Sequence, residues 1–447
     1  MTTEKNPRRP SLNFRRTAAR TALGLLLTLV FILPLSLPAA AEPTAYPKIT
    51  EARAAWLYCV TNDTVLFEHN IDRRCFPTGL TKMMTLLVAL EDYTGERSDP
   101  VTVTREMLSG VSGAQSGIKR DQEYTFRDLL GLLAVNGGND LATVVAITVA
   151  GDTETFVGMM NSKAEQLGMT DTHYTNCTGI HDEKMVTTAA DQAKLALYLS
   201  RNYEYMEMVG YSAWTTAERG DTKALTLFNK NAFISKYYNP NYYRDDVTGM
   251  CVGSTYEGGY AACVSSEKDG AGYLCVVLGG IADEKGVDQG SLNEAGKLLD
   301  WAYKNYGFVK MVSATDIITE LPVSLSADCD KIPVVAASSV EFFGDLNTDY
   351  FSEAEKTVEL DSDGLVAPVF SGQKVGTLRV SYGGKEIKSV DLIAKANVSR
   401  SEYLYIVSLI SSFLHSRAFF AALLIAAAFG VIYLLVIAFG RKTGKRR

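Results

Sequence analysis

A serine three residues ahead of a lysine on a helix puts a hydroxyl nucleophile and a proton acceptor on one face, a turn apart. That arrangement suits acyl transfer. The spacing occurs at Ser265-Ser266-Glu267-Lys268 and at Ser371-Gly372-Gln373-Lys374. Both sit at or beside expected β-turns, so both are read as chance. A third lysine, Lys82, opens a helical pattern through Met83, Leu86, Leu87 and Leu90. Three residues before it stands Gly79, which has no side-chain oxygen. Thr78 and Thr81 flank Gly79, and neither occupies the nucleophile's place. The chain has 7 cysteines, so at least one thiol is unpaired within a monomer; the pairing of the rest is open. No Cys-x-x-Cys pair or Cys/His cluster is present, so neither a metal site nor a cofactor is expected.

The elements that would position these residues can be read from patterning. Ala54 to Val60 and Val65-Leu66-Phe67 read as strands around an Asn62-Asp63 turn. Tyr124 to Ala150 is mostly helical, interrupted at Asn136-Gly137-Gly138-Asn139. Phe156 to Leu167, Ala189 to Leu199 and Leu292 to Tyr306 are further helices. Val247 to Gly280 reads as three short strands with turns at Glu257-Gly258-Gly259 and Asp269-Gly270. Beyond about Val309 the texture becomes β-rich, with short runs at Val323-Ser324-Leu325, Val334-Val335, Val358-Glu359-Leu360, Thr377 to Val380 and Ile387 to Leu392.

The ends have a different character. Residues 1–41 read as a secretion signal, with a basic region around Arg8, Arg9, Arg15, Arg16 and Arg20, an apolar run from Leu23 to Leu37, and small residues Ala39-Ala40-Ala41 before the cleavage point. Phe419 to Phe439 is an uncharged apolar run of 21 residues, long enough to cross a bilayer. The basic tail, 440–447, would hold its own side in the cytoplasm and place the middle of the chain outside. Tyr403 to Leu414, within a juxtamembrane segment 399–418, carries apolar residues at helical spacing. The net charge is −7, and no basic stripe marks the exported part, so no nucleic-acid partner is expected. Two domains are expected between the ends, at 45–308 and 309–398.

Cys75-Phe76-Pro77-Thr78-Gly79-Leu80-Thr81-Lys82-Met83-Met84-Thr85 resembles the Pro-Ala-Ser-x-Thr-Lys-x-Met-Thr segment of the serine D-alanyl-D-alanine carboxypeptidases, the low-molecular-weight penicillin-binding proteins. Asp171 to His181 resembles the family's Thr-x-Phe-x-Asn-x-x-Gly-Leu segment, and Thr187-Thr188-Ala189-Ala190-Asp191 its Ser-Thr-Ala-x-Asp. Ala367-Pro368-Val369 and Gly372 to Leu378 are similar to its C-terminal domain. The resemblance runs from about Glu51 to Ser399. It implies an α/β (α+β) β-lactamase/transpeptidase-like domain, an antiparallel sheet flanked by helices around a cleft. A small β-sandwich domain and the C-terminal transmembrane helix would follow.

The resemblance also implies three motifs, each altered here. In the first, Lys82 is retained and Gly79 stands where the nucleophilic serine would be. In the second, Ser-x-Asn, Gly137 replaces the proton-relaying serine and Asn139 is retained, followed by Asp140. In the third, Lys-Thr-Gly, the positions fall on Cys251, Val252 and Gly253. The cation and hydroxyl that would bind a terminal carboxylate are therefore missing, and only the glycine stays. Three functional expectations follow. The chain is a non-catalytic relative, held on the outer face of the cytoplasmic membrane, that binds a peptidoglycan stem peptide or a cell-wall protein. Alternatively it is an active carboxypeptidase with a displaced nucleophile, for which Cys251 near Lys82 is the candidate. As a third possibility it is a purely structural membrane protein.

Overall fold

The structure, a computed structural model, describes residues 45–282 and 290–443. The expected secretion signal lies outside them. Strand β1 (Ala54–Cys59) is buried at all six residues, because both of its faces are covered. Ala54, Trp56 and Tyr58 enter one apolar core and Ala55, Leu57 and Cys59 the other. A strand buried on both sides needs apolar side chains throughout. The middle of β4 (Gly259–Lys268) and nearly all of β5 (Ala271–Gly280) are buried in the same way, while β4 ends in the exposed pair Glu267-Lys268. With β2 (Thr64–His69) and β3 (Val247–Thr255) they form one antiparallel sheet in the order β2-β1-β5-β4-β3. The three strands expected as short are nine to ten residues each.

Helices cover both faces of the sheet. On one side lie α1 (Thr81–Asp92), α2 (Phe126–Asn136), α3 (Asn139–Ala150), α4 (Thr153–Gln166), α5 (Ala189–Leu199) and α6 (Tyr203–Gly210). On the other, α7 (Gly290–Asn305) buries Leu292, Ala295, Leu298, Leu299 and Ala302 at helical spacing. Helix starts follow ordinary capping chemistry. The Thr125, Asp152, Thr188 and Asn202 side chains accept from backbone N–H groups of α2, α4, α5 and α6. The Asn136–Asn139 interruption is a real break. Gly137 ends α2 in the left-handed region at φ +65°, and α3 restarts two residues later.

A second β-rich region follows. It comprises β6 (Tyr306–Val312), β7 (Ile317–Ser324), β8 (Lys331–Ala336), β9 (Val340–Asp345), β10 (Glu355–Leu360), β11 (Leu365–Val366), β12 (Lys374–Tyr382) and β13 (Lys385–Ala394). Six of these form the sheet β10-β12-β13-β8-β7-β11, and β6 and β9 form a pair. They share their own core, including Met311, Val340, Val334, Leu378 and Leu392. Helix α8 (Glu402–Leu414) and then α9 (Arg417–Thr443) close the chain. The stretch Arg417–Ile437 is long and apolar enough to cross a membrane, and none of it is buried in the protein.

Candidate functional site

The first motif is a single 3-10 turn, Thr78–Leu80, feeding α1. Paired backbone bonds between Cys75 and Thr187 hold its start. The turn presses directly on strand β3. A Cβ on Gly79 would lie 2.6 Å from Cα of Gly253, and a Cβ on Gly253 would lie 2.5 Å from Cα of Gly79. Only two glycines permit backbones to meet this closely. Gly253 therefore serves as a seat for the turn that carries Gly79. Cys251 adds a thiol contact, donating to the Gly79 carbonyl at 3.5 Å. Thr78, buried, is held at φ +48°, an uncommon conformation for a β-branched residue, and its Oγ1 has no partner.

Lys82 is buried, and its ammonium donates to the Thr178 carbonyl at 2.5 Å. That carbonyl is positioned by Asn176, whose Oδ1 accepts from Thr178 N, Thr178 Oγ1 and Gly179 N. The second motif borders the same lysine, since a Cβ on Gly137 would stand 3.5 Å from Lys82 Cδ. Asn139 is the first residue of α3, and its Nδ2 donates to the Ser112 carbonyl at 2.8 Å. Asp140 accepts from the N–H groups of Ser116, Gly117 and Leu141 and from Ser116 Oγ. These bonds tie the loop after Ser109 to the start of α3.

Burial pushes the Lys82 ammonium down to about 8; the Cys251 thiol works against that, and repulsion from Lys230 adds to it. A lysine whose folded value lies below its ordinary value costs stability while it is charged. That cost is present in full below about pH 8 and is relieved as pH rises from there toward 10.5. A lysine-selective NMR titration should therefore show a Lys82 midpoint near 8, and the wild type should gain stability relative to Lys82→Met across that window. A midpoint near 10.5 would contradict this account of the buried ammonium. For Cys251 the balance goes the other way from the sequence argument. Lys82 does favour the thiolate, but burial dominates and carries the thiol up to about 11.

The three motifs line one cleft of about 650 Å³. Gly79, Lys82, Gly137, Asn139, Cys251, Val252 and Gly253 all contribute to it. It also contains groups that the sequence did not single out: Tyr205 on α6 and the loop Asn229-Lys230-Asn231. No local pattern marks them; an isolated lysine between two asparagines in a loop carries no periodic signal. Asn136, read as one residue out of place, lines the same cleft with an unpartnered buried Oδ1. Among the described residues no group of three or more His, Cys, Asp or Glu side chains could hold a metal ion.

The family model for D-alanyl-D-alanine carboxypeptidase matches residues 40–282, and that for the penicillin-binding protein 5 C-terminal domain matches residues 306–400. The chain belongs to the D-alanyl-D-alanine carboxypeptidase family. It is 26% identical over 357 residues to D-alanyl-D-alanine carboxypeptidase DacF of Bacillus subtilis, covering 79% of this chain and 87% of that one. It is 28% identical over 354 residues to DacA of Haemophilus influenzae, covering 77% and 84%. The fold is that of penicillin-binding protein 5 from Haemophilus influenzae, at 24% identity and TM-score 0.54 over 80% of this chain and 99% of that one. Penicillin-binding protein 3 from Streptococcus pneumoniae, whose structure is described as a peptidoglycan synthesis regulatory factor, matches at 20% identity and TM-score 0.54 over 78% and 100%.

Proposed function

We propose that this protein is a non-catalytic member of its family that holds a peptidoglycan stem peptide, or a cell-wall protein presenting a similar chain end, in the cleft. The observation that carries this reading is the contact of Gly79 with Gly253. Where a nucleophile's side chain would stand, the site is filled by the backbone of strand β3. Neither Cys251 nor the threonines flanking Gly79 offer a replacement. The Cys251 thiol, at about 11, is almost wholly protonated at neutral pH. Thr78 and Thr81 are buried and do not line the cleft. What persists is a polar, partly enclosed cavity of ligand size. Calorimetry with a muropeptide tests the reading: saturable binding without release of D-alanine supports it, and turnover at a rate typical of an enzyme would overturn it.

The same proposal places the folded regions outside the cytoplasmic membrane, held by α9, with the basic tail inside and the N-terminal segment removed after Ala41. The apolar stretch Arg417–Ile437 and the basic residues beyond it support that topology. Truncation after Ser401 removes α8 and α9 but leaves every strand in place. It should release a soluble protein with cooperative unfolding. A truncated protein that stays with membranes in high salt would point to a second anchor, with an uncleaved N-terminal segment the first suspect.

A further inference from the structure

Two cysteines face each other across β3 and β4, and β3 lines the cleft. The register of the two strands runs without a shift from Gly249 to Thr255, and it sets Cys251 directly opposite Cys263. Both side chains belong to the apolar core on one face of the sheet, whereas the neighbouring Val252, Ala262 and Val264 belong to the other. Directly opposite residues of an antiparallel pair lie about 4.5–5.5 Å apart at Cα, within the roughly 4.4–6.8 Å that a disulfide spans. Among the described residues no strand register sets any other cysteine opposite a second one. Cys59 opposes Thr64 and Tyr273, Cys275 opposes Leu57 and Val264, and Cys75 opposes Thr187. Cys177 and Cys329 stand outside the strands.

The two thiols differ in access. Cys263 is fully buried, and its Sγ already reaches across to β3, where it donates to Met250 Sδ at 3.2 Å. Cys251 is partly exposed and lines the cleft, and its thiol is turned to the Gly79 carbonyl. A reagent in the cleft therefore meets one sulfur, and the second waits behind it on the adjacent strand. Once Cys251 is bonded to another sulfur, it has no hydrogen left to donate to Gly79.

We propose that Cys251 and Cys263 are a redox pair, closed to a disulfide by a small-molecule disulfide that enters the cleft, and that closure withdraws the thiol from Gly79. The exchange runs in two steps. The Cys251 sulfur bonds one sulfur of the incoming disulfide, whose other half leaves as a thiol with the Cys251 proton. The Cys263 sulfur then attacks the Cys251 sulfur, and the second half leaves as a thiol with the Cys263 proton. Two protein thiols are oxidised, and one disulfide is reduced to two thiols. The bond ties the edge strand β3 to β4 beside the seat of the 3-10 turn. The placement outside the cytoplasm proposed above would put the pair where disulfides form and persist. The inference does not depend on what the cleft holds.

Full-length protein in detergent is reduced, freed of reductant and incubated with oxidised glutathione. Mildly alkaline buffer is used, because burial keeps the Cys251 thiol protonated near neutral pH. Remaining thiols are alkylated, and the digest is mapped by mass spectrometry without reduction. Most molecules should carry a peptide pair joined through Cys251 and Cys263, which dithiothreitol separates. Cys263→Ala should instead retain glutathione on Cys251, Cys251→Ala should leave Cys263 unmodified, and Cys59→Ala should not alter the cross-link. The NMR signal of an isotope-labelled Gly79 carbonyl should shift on oxidation and return on reduction, and in Cys251→Ala the oxidant should not move it. The wild-type map decides the pairing even where a variant does not fold. Glutathione that stays on wild-type Cys251, a native cross-link through other cysteines, or no reaction at Cys251 would overturn the pair. A Cys251–Cys263 bond that leaves the Gly79 signal in place would overturn its coupling to the turn.

Discussion

Purified protein incubated with a fluorescent penicillin is expected to carry no covalent label, and to release D-alanine from a D-Ala-D-Ala peptide no faster than buffer. Acylation by penicillin and cleavage of the peptide need the same thing, an activated side-chain oxygen or sulfur within reach of a carbonyl in the cleft. Gly79 has none. Thr78 Oγ1 is buried away from the cleft, and Thr81 Oγ1 is turned to Met185 Sδ. The Cys251 thiol is held protonated. Removing a nucleophile that works as part of a unit costs on the order of 10⁴–10⁶ in rate, enough to put turnover below detection in an ordinary assay. A stable adduct mapped by mass spectrometry to Thr78, Thr81, Cys251 or any other cleft residue would sink the non-catalytic reading.

Gly79→Ser alone is expected to destabilise the protein and to leave it inactive. The new Cβ would arrive 2.6 Å from the Gly253 Cα, against backbone rather than a flexible side chain, so either the 3-10 turn or strand β3 must move. Overpacking of this kind costs about 1–3 kcal/mol, and Gly79→Ala should show the same loss in denaturant unfolding. The hydroxyl, even if accommodated, would find no relay at Gly137 and no cation at Cys251. Gly137→Ser, Cys251→Lys and Val252→Thr should all be needed as well. Gly137→Ser carries its own strain, about 1–2 kcal/mol, because its φ is +65°. Turnover at a rate typical of the family from Gly79→Ser alone would mean that the third motif has been placed on the wrong residues. An unchanged unfolding midpoint for Gly79→Ala would mean that the Gly79–Gly253 contact yields easily.

Local pattern carried much of the architecture. Apolar period marked α1, α4, α5 and α7 to within a few residues, because a helix is decided by neighbours three and four positions away. The short α6 escaped, since eight residues opened by the single cap Asn202 give too little periodicity to stand out. Strands β6 and β9 also went unread. They pair only with each other, and in such edge strands the alternation is irregular.

For the site, residue identities alone established that Gly79, Gly137, Cys251 and Val252 lack the side chains that the family's motifs would supply, since a missing atom is missing in any conformation. The sequence also fixed the retention of Lys82, Asn139 and Gly253. Tertiary structure decided what those absences became. Cys251 and Gly79 are 172 residues apart, and only the seating of the 3-10 turn on β3 brings them into contact. Whether Cys251 is acidic or inert depends on burial against one nearby charge, and burial prevails. Lys230 and Asn231 enter the cleft because a backbone bond to α2 and a bond from the Asn229 side chain to α6 hold their loop there. Such long-range contacts are set by how the helices pack on the sheet, and the order of residues in the loop carries no trace of them.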